Sequence, residues 1–276
     1  MFNDSADTSD GKYVVQILAR ALRVLWTLAS RNDGWTLDEL AQHEDVNKAS
    51  MLRILRTLEA DRVVLRDKDV YRLGPRVLEL SHGYLRGLEL DTVARPFMQT
   101  LAARTGQTVS LAVRDEFEVV YIAIEKAHRE IGIQGEIGGR HPANATALGK
   151  VLLADLDGPE LDALLHEHDL TQLTHRTIDT PEALRSHLEV VRERGYAFDD
   201  EERGIGIRCV AAPIRRADGR VIAAVSVAGA IFHMTEDVLA GHTELVLQAA
   251  SEISERFGHR GAQASSRPVE PAGATD

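Results

Sequence analysis

Basic side chains at helical spacing lie between residues 46 and 58, a segment that holds Lys48, Arg53 and Arg56 and no acidic residue. A guanidinium group can bond the O6 and N7 atoms of a guanine together, so Arg53 is suited to reading a base edge. Lys48 and Ser50, near the start of the segment, are suited to contact with phosphate. The chemistry that this segment predicts is contact with DNA.

The residues of this segment also predict the helix that would present its basic side chains on one face. Asn47 can cap the amino terminus of such a helix. Apolar residues recur at spacings of three and four, which is typical of a buried helical face. These apolar residues are Met51, Ile54, Leu55 and Leu58. The opposite face carries Lys48, Ala49, Leu52, Arg53 and Arg56.

Two earlier helices and a later hairpin are predicted to surround this helix. Apolar periodicity indicates a helix over residues 13–29, and Thr36 with Glu39 predicts a capping box that begins a second. β-prone residues at 63–66 and 70–73 predict a hairpin. This order is typical of a winged helix-turn-helix domain, whose third helix enters the major groove. The predicted DNA-binding residues are Thr36, Lys48, Ala49, Ser50, Leu52, Arg53, Arg56, Arg66, Lys68 and Arg72.

The distribution of charge supports a basic module attached to an acidic body. The 276-residue chain has a formal net charge of −11, which argues against indiscriminate coating of nucleic acid. Residues 11–86 nevertheless hold 13 Lys and Arg against 10 Asp and Glu, while the remainder holds 19 against 33. Local basic patches mark a DNA-binding surface better than the overall charge does. The alternative is that these charges, including the hairpin cations, only keep the surface solvated.

Composition excludes several classes of protein. The single cysteine, Cys209, cannot form a disulfide within the chain, and no Cys-cluster zinc site exists. No apolar run approaches the ~20 residues that span a bilayer, and the acidic start is unlike a secretory signal. We therefore expect a cytoplasmic protein with no membrane partner.

Three other features could carry chemistry, and each has a simpler interpretation. Cys209 could be a nucleophile, but lone cysteines are commonly buried packing residues. His166, His168 and His175 could bind zinc, but they lie in a polar stretch that suits solvent equally well. Gly204 and Gly206 lack the strand–loop–helix context of a phosphate loop. We predict no catalytic residue, no metal site and no cofactor.

The remainder of the chain mixes strands and helices, which predicts an α+β body with a mainly antiparallel sheet. Hairpins are predicted at 109–124 and 210–227, and a third strand at 131–137, followed by a loop at 138–142. Helices are predicted at 76–88, 91–104, 145–153, 159–166, 181–194 and 235–257. The Gly-, Ala-, Ser- and Pro-rich tail at 258–276 is predicted to be disordered.

Four stretches in order closely resemble the IclR family of bacterial transcription regulators, over residues 12–257. The first is TLDELA at 36–41 leading into KASMLRIL at 48–55, and the second is YRLGPR at 71–76. The third is ANATALGK at 143–150, in which Asn144 stands where many members have His. The fourth is GYAFDDEE at 195–202, followed by GIRCVAAP at 206–213.

The resemblance implies a winged helix-turn-helix domain at 12–74, a linker helix at 75–90 and a GAF/profilin-like effector domain at 91–257. It also implies double-stranded operator DNA and a small organic or aromatic acid as partners, and self-association to a dimer or tetramer. Carried over by position, the effector-binding residues would be Ala147, Leu148, Asp199, Cys209, Ser226 and Ala228.

Physical reasoning adds detail to such a pocket. An acid's carboxylate could be held by backbone N–H groups at the start of the 145–153 helix, where the dipole is positive. Asp199 would repel that carboxylate unless it is protonated or faces a hydroxyl or keto end. An apolar lining of Leu111, Leu148, Val210 and Val225 would favour an aromatic or aliphatic ligand.

Two classes of function follow from these observations. The favoured hypothesis is a ligand-responsive repressor or activator of a catabolic operon, in which the ligand changes the spacing of two DNA-reading modules. The rival is a GAF-like sensor or an enzyme whose amino-terminal module mediates protein contacts. No nucleophile–base pair or pair of catalytic carboxylates stands out to support the rival.

Overall fold

The computed structural model describes residues 14–126 and 135–259 of the chain. The chain divides into two compact units, with the division between Gly87 and Leu88. The unit that ends at Gly87 is called the first unit below, and the unit that begins at Leu88 is called the body. Both combine helices with antiparallel sheet, so the predicted α+β class is confirmed.

The first unit packs its helices over a small sheet. Its helices are α1 (Gln16–Ala29), α2 (Leu37–His43), α3 (Lys48–Ala60) and α4 (Arg76–Leu88), and α4 reaches the division. Its strands are β1 (Trp35–Thr36), β2 (Val64–Asp67) and β3 (Val70–Leu73), in the antiparallel order β1-β3-β2. The core of this unit contains side chains from α1, α2 and α3 that pack with Tyr71 of β3. Among them are Leu28, Leu40 and Met51. This is the predicted winged helix-turn-helix arrangement, with β1 as an additional short strand.

The body is built on one antiparallel sheet with helices on both faces. Its strands are β4 (Thr108–Asp115), β5 (Glu118–Glu125), β6 (Arg140–Pro142), β7 (Ala197–Asp200), β8 (Ile207–Arg215) and β9 (Val221–Ala230), in the order β6-β5-β4-β9-β8-β7. Its helices are α5 (Leu90–Thr105), α6 (Ala147–Ala154), α7 (Gly158–Glu167), α8 (Pro181–Arg194) and α9 (Glu236–Arg256). Helices α5 and α9 pack together against the sheet, whereas α6 lies between the sheet and α8.

Local signals account for several of these boundaries. Thr180 caps α8 by accepting a hydrogen bond from the Ala183 N–H, Pro181 begins that helix, and Gly195 ends it with a φ of 78°. That left-handed conformation favours glycine, which lacks the Cβ that other residues would crowd against the backbone.

The region after β5 differs from the prediction. Residues 131–134 of the predicted third strand lie outside the described residues, and residues 135–137 are not in a strand. The third strand is instead β6, within the predicted loop, where Val119 pairs with His141. A 3-10 turn (Ala143–Ala145) then precedes α6, which begins at Ala147 rather than residue 145 because Thr146 is its cap. Beyond His259, the predicted disordered tail lies outside the described residues.

Candidate functional site

Helix α3 presents its basic face because its ends and its apolar face are fixed by neighbouring groups. Asn47 Oδ1 accepts a hydrogen bond of 2.9 Å from the Ser50 N–H, which satisfies one of the free donors of the first turn. Met51, Ile54 and Leu55 are buried in the core of the first unit. The side chains that remain exposed on α3 include Lys48, Ala49, Leu52, Arg53 and Arg56, which is the face that the sequence predicts.

The cations of α3 differ in what they contact. Lys48 Nζ lies 2.8 Å from Asp38 Oδ1, and Arg56 Nη1 lies 3.3 Å from Glu59 Oε2. Arg53 instead donates to the Ser50 hydroxyl oxygen at 3.2 Å and has no carboxylate within 4.0 Å in the described ranges. Its charge is therefore the one on this face that no acidic side chain neutralises, among the residues that the structure describes.

The β2–β3 hairpin contributes a second basic group of residues. Lys68 lies at its tip with a left-handed φ of 54°, and its carbonyl accepts a 2.6 Å hydrogen bond from Arg66 Nε. Arg72 donates from Nη2 to the Asp33 carbonyl at 2.8 Å, which ties the hairpin to the segment before β1. Arg72 therefore fixes the position of the hairpin, while Arg66 and Lys68 remain exposed near its tip.

Thr36 is occupied in capping α2. Its hydroxyl accepts a hydrogen bond from the Glu39 N–H, and the Glu39 carboxylate accepts from the Thr36 N–H at 2.8 Å. This reciprocal pair is the capping box that the sequence predicts. The backbone hydrogen bond from Thr36 lowers the pKa of Glu39.

The body contains a small cavity between the sheet and the start of α6. The space within it measures about 20 Å³, enough for about one water molecule. Its lining comprises Thr108, Ser110, Tyr121, Gly135, Thr146, Ala147, Leu148, Asp199, Arg203, Ile207, Cys209, Ser226 and Ala228. The cavity thus brings together Ala147, Leu148, Asp199, Cys209, Ser226 and Ala228, the residues carried over by position.

Leu111 does not line this cavity, which corrects its assignment as a lining residue. Side chains alternate between the two faces of a strand, and Ser110 lines the cavity, so Leu111 lies on the opposite face. Its cross-strand partner is Val225, whereas Ser110 is paired with Ser226. Val210 and Val225 are likewise absent from the lining, for the same reason. The cavity face of these strands carries small and polar side chains.

The wall formed by α6 depends on a close backbone approach at Gly149. A Cβ at this position would lie 2.2 Å from the Ala143 carbonyl oxygen, a distance that no real side chain tolerates. Thr146 Oγ1 accepts a 3.0 Å hydrogen bond from the Gly149 N–H. Asn144 is buried beside this wall and donates from Nδ2 to the Thr171 and Ile178 carbonyls. Asn144 therefore braces the segment between α7 and α8 and is not part of the cavity lining.

Asp199 is a buried carboxyl group at the cavity. Burial raises the pKa of Asp199 from 3.8 to about 6, although the Arg203 N–H, which donates to it, acts in the opposite direction. Its Oδ1 accepts hydrogen bonds from the Glu202 N–H at 2.8 Å and the Arg203 N–H at 3.1 Å. Asp199 therefore fixes the turn after β7 and changes its charge near neutral pH.

We expect Asp199→Asn to stabilise the protein above pH 6. Asn keeps an oxygen that accepts both N–H groups but cannot ionise. Because the pKa of Asp199 is about 6 in the folded protein, against its ordinary value of 3.8 in an unfolded chain, its contribution to stability falls as pH rises between those values. The expected gain is about 2–3 kcal/mol at pH 8 and close to zero at pH 4, since one pKa unit is worth about 1.4 kcal/mol.

Urea denaturation followed by circular dichroism at both pH values would measure this difference. Asp162→Asn is the control, because Asp162 is exposed and pairs only with Arg185 at the surface. A gain for Asp199→Asn that does not change with pH would contradict the assignment.

Cys209 and Tyr121 face the cavity as uncharged groups. Burial raises the pKa of the Cys209 thiol to about 12, and the nearby Asp199 carboxylate contributes to that rise. Burial also raises the pKa of Tyr121 to about 12. A thiol with so high a pKa supplies no thiolate near neutral pH, so Cys209 is suited to packing and weak hydrogen bonding rather than to nucleophilic attack.

The histidines considered as zinc ligands are not brought together. The His168 ring stacks on Phe117, with 5.9 Å between ring centroids. In the described part of the chain, no group of three or more His, Cys, Asp and Glu could hold a metal ion. Among the same described residues, no helix is both long enough and apolar enough to cross a membrane.

Sequence reasoning missed several residues of the cavity, among them Tyr121, Ser110 and Arg203. The signal for Ser110 is its place in a strand whose alternate residues are small or polar on one face and bulky on the other. For Arg203 the signal is its spacing of four residues from Asp199 across a turn. For Tyr121 no such local signal exists, because its place depends on the pairing of β4 with β5.

A winged helix with an exposed basic reading face, joined in one chain to a body with a polar cavity, defines a DNA-binding regulator. Residues 17–68 match the IclR helix-turn-helix domain, and residues 82–255 match the domain described as bacterial transcriptional regulator IclR C-terminal. The chain belongs to the IclR family of bacterial transcriptional regulators. Regulators of this family are not enzymes.

Individual relatives match over nearly the whole described chain. The transcriptional repressor IclR of Escherichia coli K12 is 31% identical over 248 residues, covering 88% of this chain and 90% of the relative. The regulator XynR of the same strain is 33% identical over 248 residues, covering 89% and 98%. A solved IclR homologue from Microbacterium hydrocarbonoxydans, in complex with 4-hydroxybenzoate, superposes with a TM-score of 0.78 at 26% identity, covering 88% of this chain and 99% of that one.

Proposed function

We propose that this regulator binds operator DNA through α3 and the β2–β3 hairpin and releases or tightens that contact when a small organic or aromatic acid enters the body cavity. In this proposal it acts in the cytoplasm as a repressor or activator of a catabolic operon. Residues 12–74 are the DNA reader, 75–90 the linker helix and 91–257 the effector domain. The observation that carries the DNA-binding assignment is the exposed face of α3, where Arg53 has no acidic partner among the described residues.

The side chains that line the cavity support an acid as the effector. Hydroxyl groups of Ser110, Ser226 and Tyr121 line it together with one cationic side chain, Arg203. The structural relative bound to 4-hydroxybenzoate supports the same chemical class. An effector of several non-hydrogen atoms exceeds the present space of about 20 Å³, so its entry has to displace lining side chains. A ligand shifts an equilibrium between two conformations only by its differential affinity for them, and this displacement supplies such a difference.

Self-association is the remaining part of the proposal. The side of α1 that faces away from the core carries a row of exposed apolar residues one turn apart, Leu18, Leu22 and Trp26. This row is the α1 stripe below. A second copy of the chain is the partner that fits it, because two-fold symmetric reading of DNA half-sites requires two readers at a fixed spacing. We propose that the α1 stripe joins two first units.

A mobility-shift assay on the DNA upstream of the gene, with and without small carboxylates, tests the proposed function. Counterion release predicts that the logarithm of the affinity falls steeply with the logarithm of salt concentration. An acid that changes the affinity supports the regulatory role. Affinity that is flat with salt would contradict DNA reading by α3, and affinity unaffected by every acid would contradict the effector class.

Arg53→Ala is expected to weaken operator binding by about 1–3 kcal/mol, as for loss of a bidentate contact to guanine. The physical reason is that the variant removes the one cation of α3 without an acidic partner in the described residues. Fluorescence anisotropy with operator and with scrambled DNA would measure it, and the loss is expected on the operator alone. Arg185→Ala, at the body surface, is the control. A loss below a few tenths of a kcal/mol would remove Arg53 from the reading role.

A further inference from the structure

Arg203 lines the body cavity with an uncompensated positive charge. It lies in the turn between β7 and β8. No carboxylate of residues 14–126 or 135–259 lies within 4.0 Å of its guanidinium nitrogens. The side-chain contact that it makes is from Nη2 to His141 Nε2, at 3.0 Å. Arg203 is thus a cation held at the cavity by a group other than an acid.

The acidic residues of the same turn all have other partners. Asp200 accepts from Arg176 at 2.6 Å and from Arg208 at 2.5 Å. Glu201 accepts from the Gly206 N–H at 2.8 Å. Glu202 pairs with the buried Lys150 ammonium, and Asp199 accepts the backbone N–H groups described above. Each of these carboxylates therefore has a partner other than the Arg203 guanidinium, which leaves that guanidinium available to a ligand.

His141 does not neutralise this charge. Burial lowers the pKa of His141 from 6.5 to about 4, and the positive charge of Arg203 contributes to the same effect. The imidazole is therefore neutral near pH 7 and offers Arg203 a lone pair without a negative charge. The same guanidinium also acts on Tyr121 and Cys209, where it opposes the rise in pKa that burial causes. The positive charge of Arg203 thus lowers the pKa of three groups around the cavity.

We propose that Arg203 is the carboxylate-binding group of the cavity, so that the effector is a small monocarboxylate held by a guanidinium–carboxylate pair. The inference rests on the proposed function, because it takes the cavity as the effector site. It places the acid group at the turn after β7 rather than at the amino terminus of α6. Charge-assisted pairs of this kind are among the stronger polar contacts in proteins.

The charges around the cavity also set a selectivity. Outside residues 11–86 the chain holds 33 Asp and Glu against 19 Lys and Arg, so an anion needs a local cation to bind there. Asp199, in β7 just before the turn that holds Arg203, repels a second anionic group when it is ionised. It can accept a hydrogen bond from a ligand hydroxyl instead. Monocarboxylates, including those that carry a hydroxyl group, are therefore favoured over dicarboxylates.

Isothermal titration of the full chain with paired probes tests the assignment. The probes are benzoate, 4-hydroxybenzoate and hexanoate, each with its uncharged amide. We expect at least one acid to bind the unmodified protein about tenfold to hundredfold more tightly than its amide, the range expected for a charge-assisted hydrogen bond. Arg203→Gln should weaken binding of that acid by the same factor and abolish the preference over the amide, while Arg203→Lys restores part of the preference.

Arg185→Gln is the matched control, since it removes one positive charge from the body surface without lining the cavity. It should bind the acid as the unmodified protein does. Equal binding of acid and amide, or a preference that persists in Arg203→Gln, would overturn the role of Arg203 and leave the cavity as an effector site. If neither acids nor amides bind at millimolar concentration, the proposed effector class itself fails, and the inference with it.

Discussion

Lys150→Met is expected to lower the free energy of unfolding of the body by about 3–5 kcal/mol, the usual cost of removing one partner from a buried ion pair. Lys150 is a fully buried residue of α6, and its ammonium group pairs with the carboxylate of Glu202. Glu202 Oε2 has no hydrogen-bond partner among the described residues. Without the ammonium group, the buried Glu202 carboxylate would have no ion-pair partner within 4.0 Å among the described residues.

The reactivity of Cys209 can be used to follow unfolding of the body. Cys209 is buried and is the one cysteine of the chain, so reaction of its thiol with a disulfide reagent in urea follows unfolding of the body. The double variant Lys150→Met with Glu202→Leu is the control. Replacing both partners of a buried pair by apolar groups is often neutral or stabilising, so it should recover most of the loss. If Lys150→Met alone costs less than about 1 kcal/mol, as an exposed pair would, the buried pair does not hold the body together.

In the proposed dimer, Leu22→Glu is expected to separate the two copies of the chain and to lower the operator affinity by about 10²–10⁴-fold, the usual advantage of two linked binding sites over one. Leu22 lies in the middle of the α1 stripe, with Leu18 and Trp26 one turn away on either side. All three are half or more exposed, at 50%, 59% and 72%. A carboxylate at position 22 would have to be desolvated against a partner's apolar surface, at a cost of several kcal/mol per ion.

Sedimentation velocity and anisotropy with one-half-site and two-half-site DNA would measure both effects. Gln16→Glu is the matched control, because Gln16 is exposed on the same helix but is not part of the α1 stripe. It adds the same charge and should leave assembly unchanged. A Leu22→Glu protein that still sediments as the unmodified one does would show that the α1 stripe is not the contact between copies. An equal loss of affinity for the one-half-site and the two-half-site DNA would indicate damage within a single DNA-binding unit.

Segments defined by local signals could be predicted from the sequence. Helix α3 follows from the Asn47 cap and the spacing of Met51, Ile54 and Leu55, and the confirmed hairpin follows from two β-prone stretches with a polar turn. Short strands could not be predicted in this way. β1 exists because it pairs with β3, as Trp35 does with Tyr71, and β6 exists because it pairs with β5, as His141 does with Val119. Two or three residues carry too little periodicity to indicate such pairing.

The cavity was only partly predictable for a related reason. The strands β4 and β9 are buried on both faces, so the contrast between apolar and polar residues does not show which face is which. Leu111 was therefore assigned to the face opposite the one it occupies. Size is the more useful contrast here, since Ser110 and Ser226 share the cavity face while Leu111 and Val225 share the other. Arg203 was missed because its importance depends on which acids the neighbouring residues already satisfy.

The narrowness of the body cavity has a consequence for the speed of the response. In the proposed function, the space of about 20 Å³ holds little more than one water molecule, so an acid enters only when lining side chains move apart. Association is then slower than diffusional encounter, because binding that requires a conformational change has a lower association rate. The apparent affinity is also reduced by the fraction of time that the open form exists.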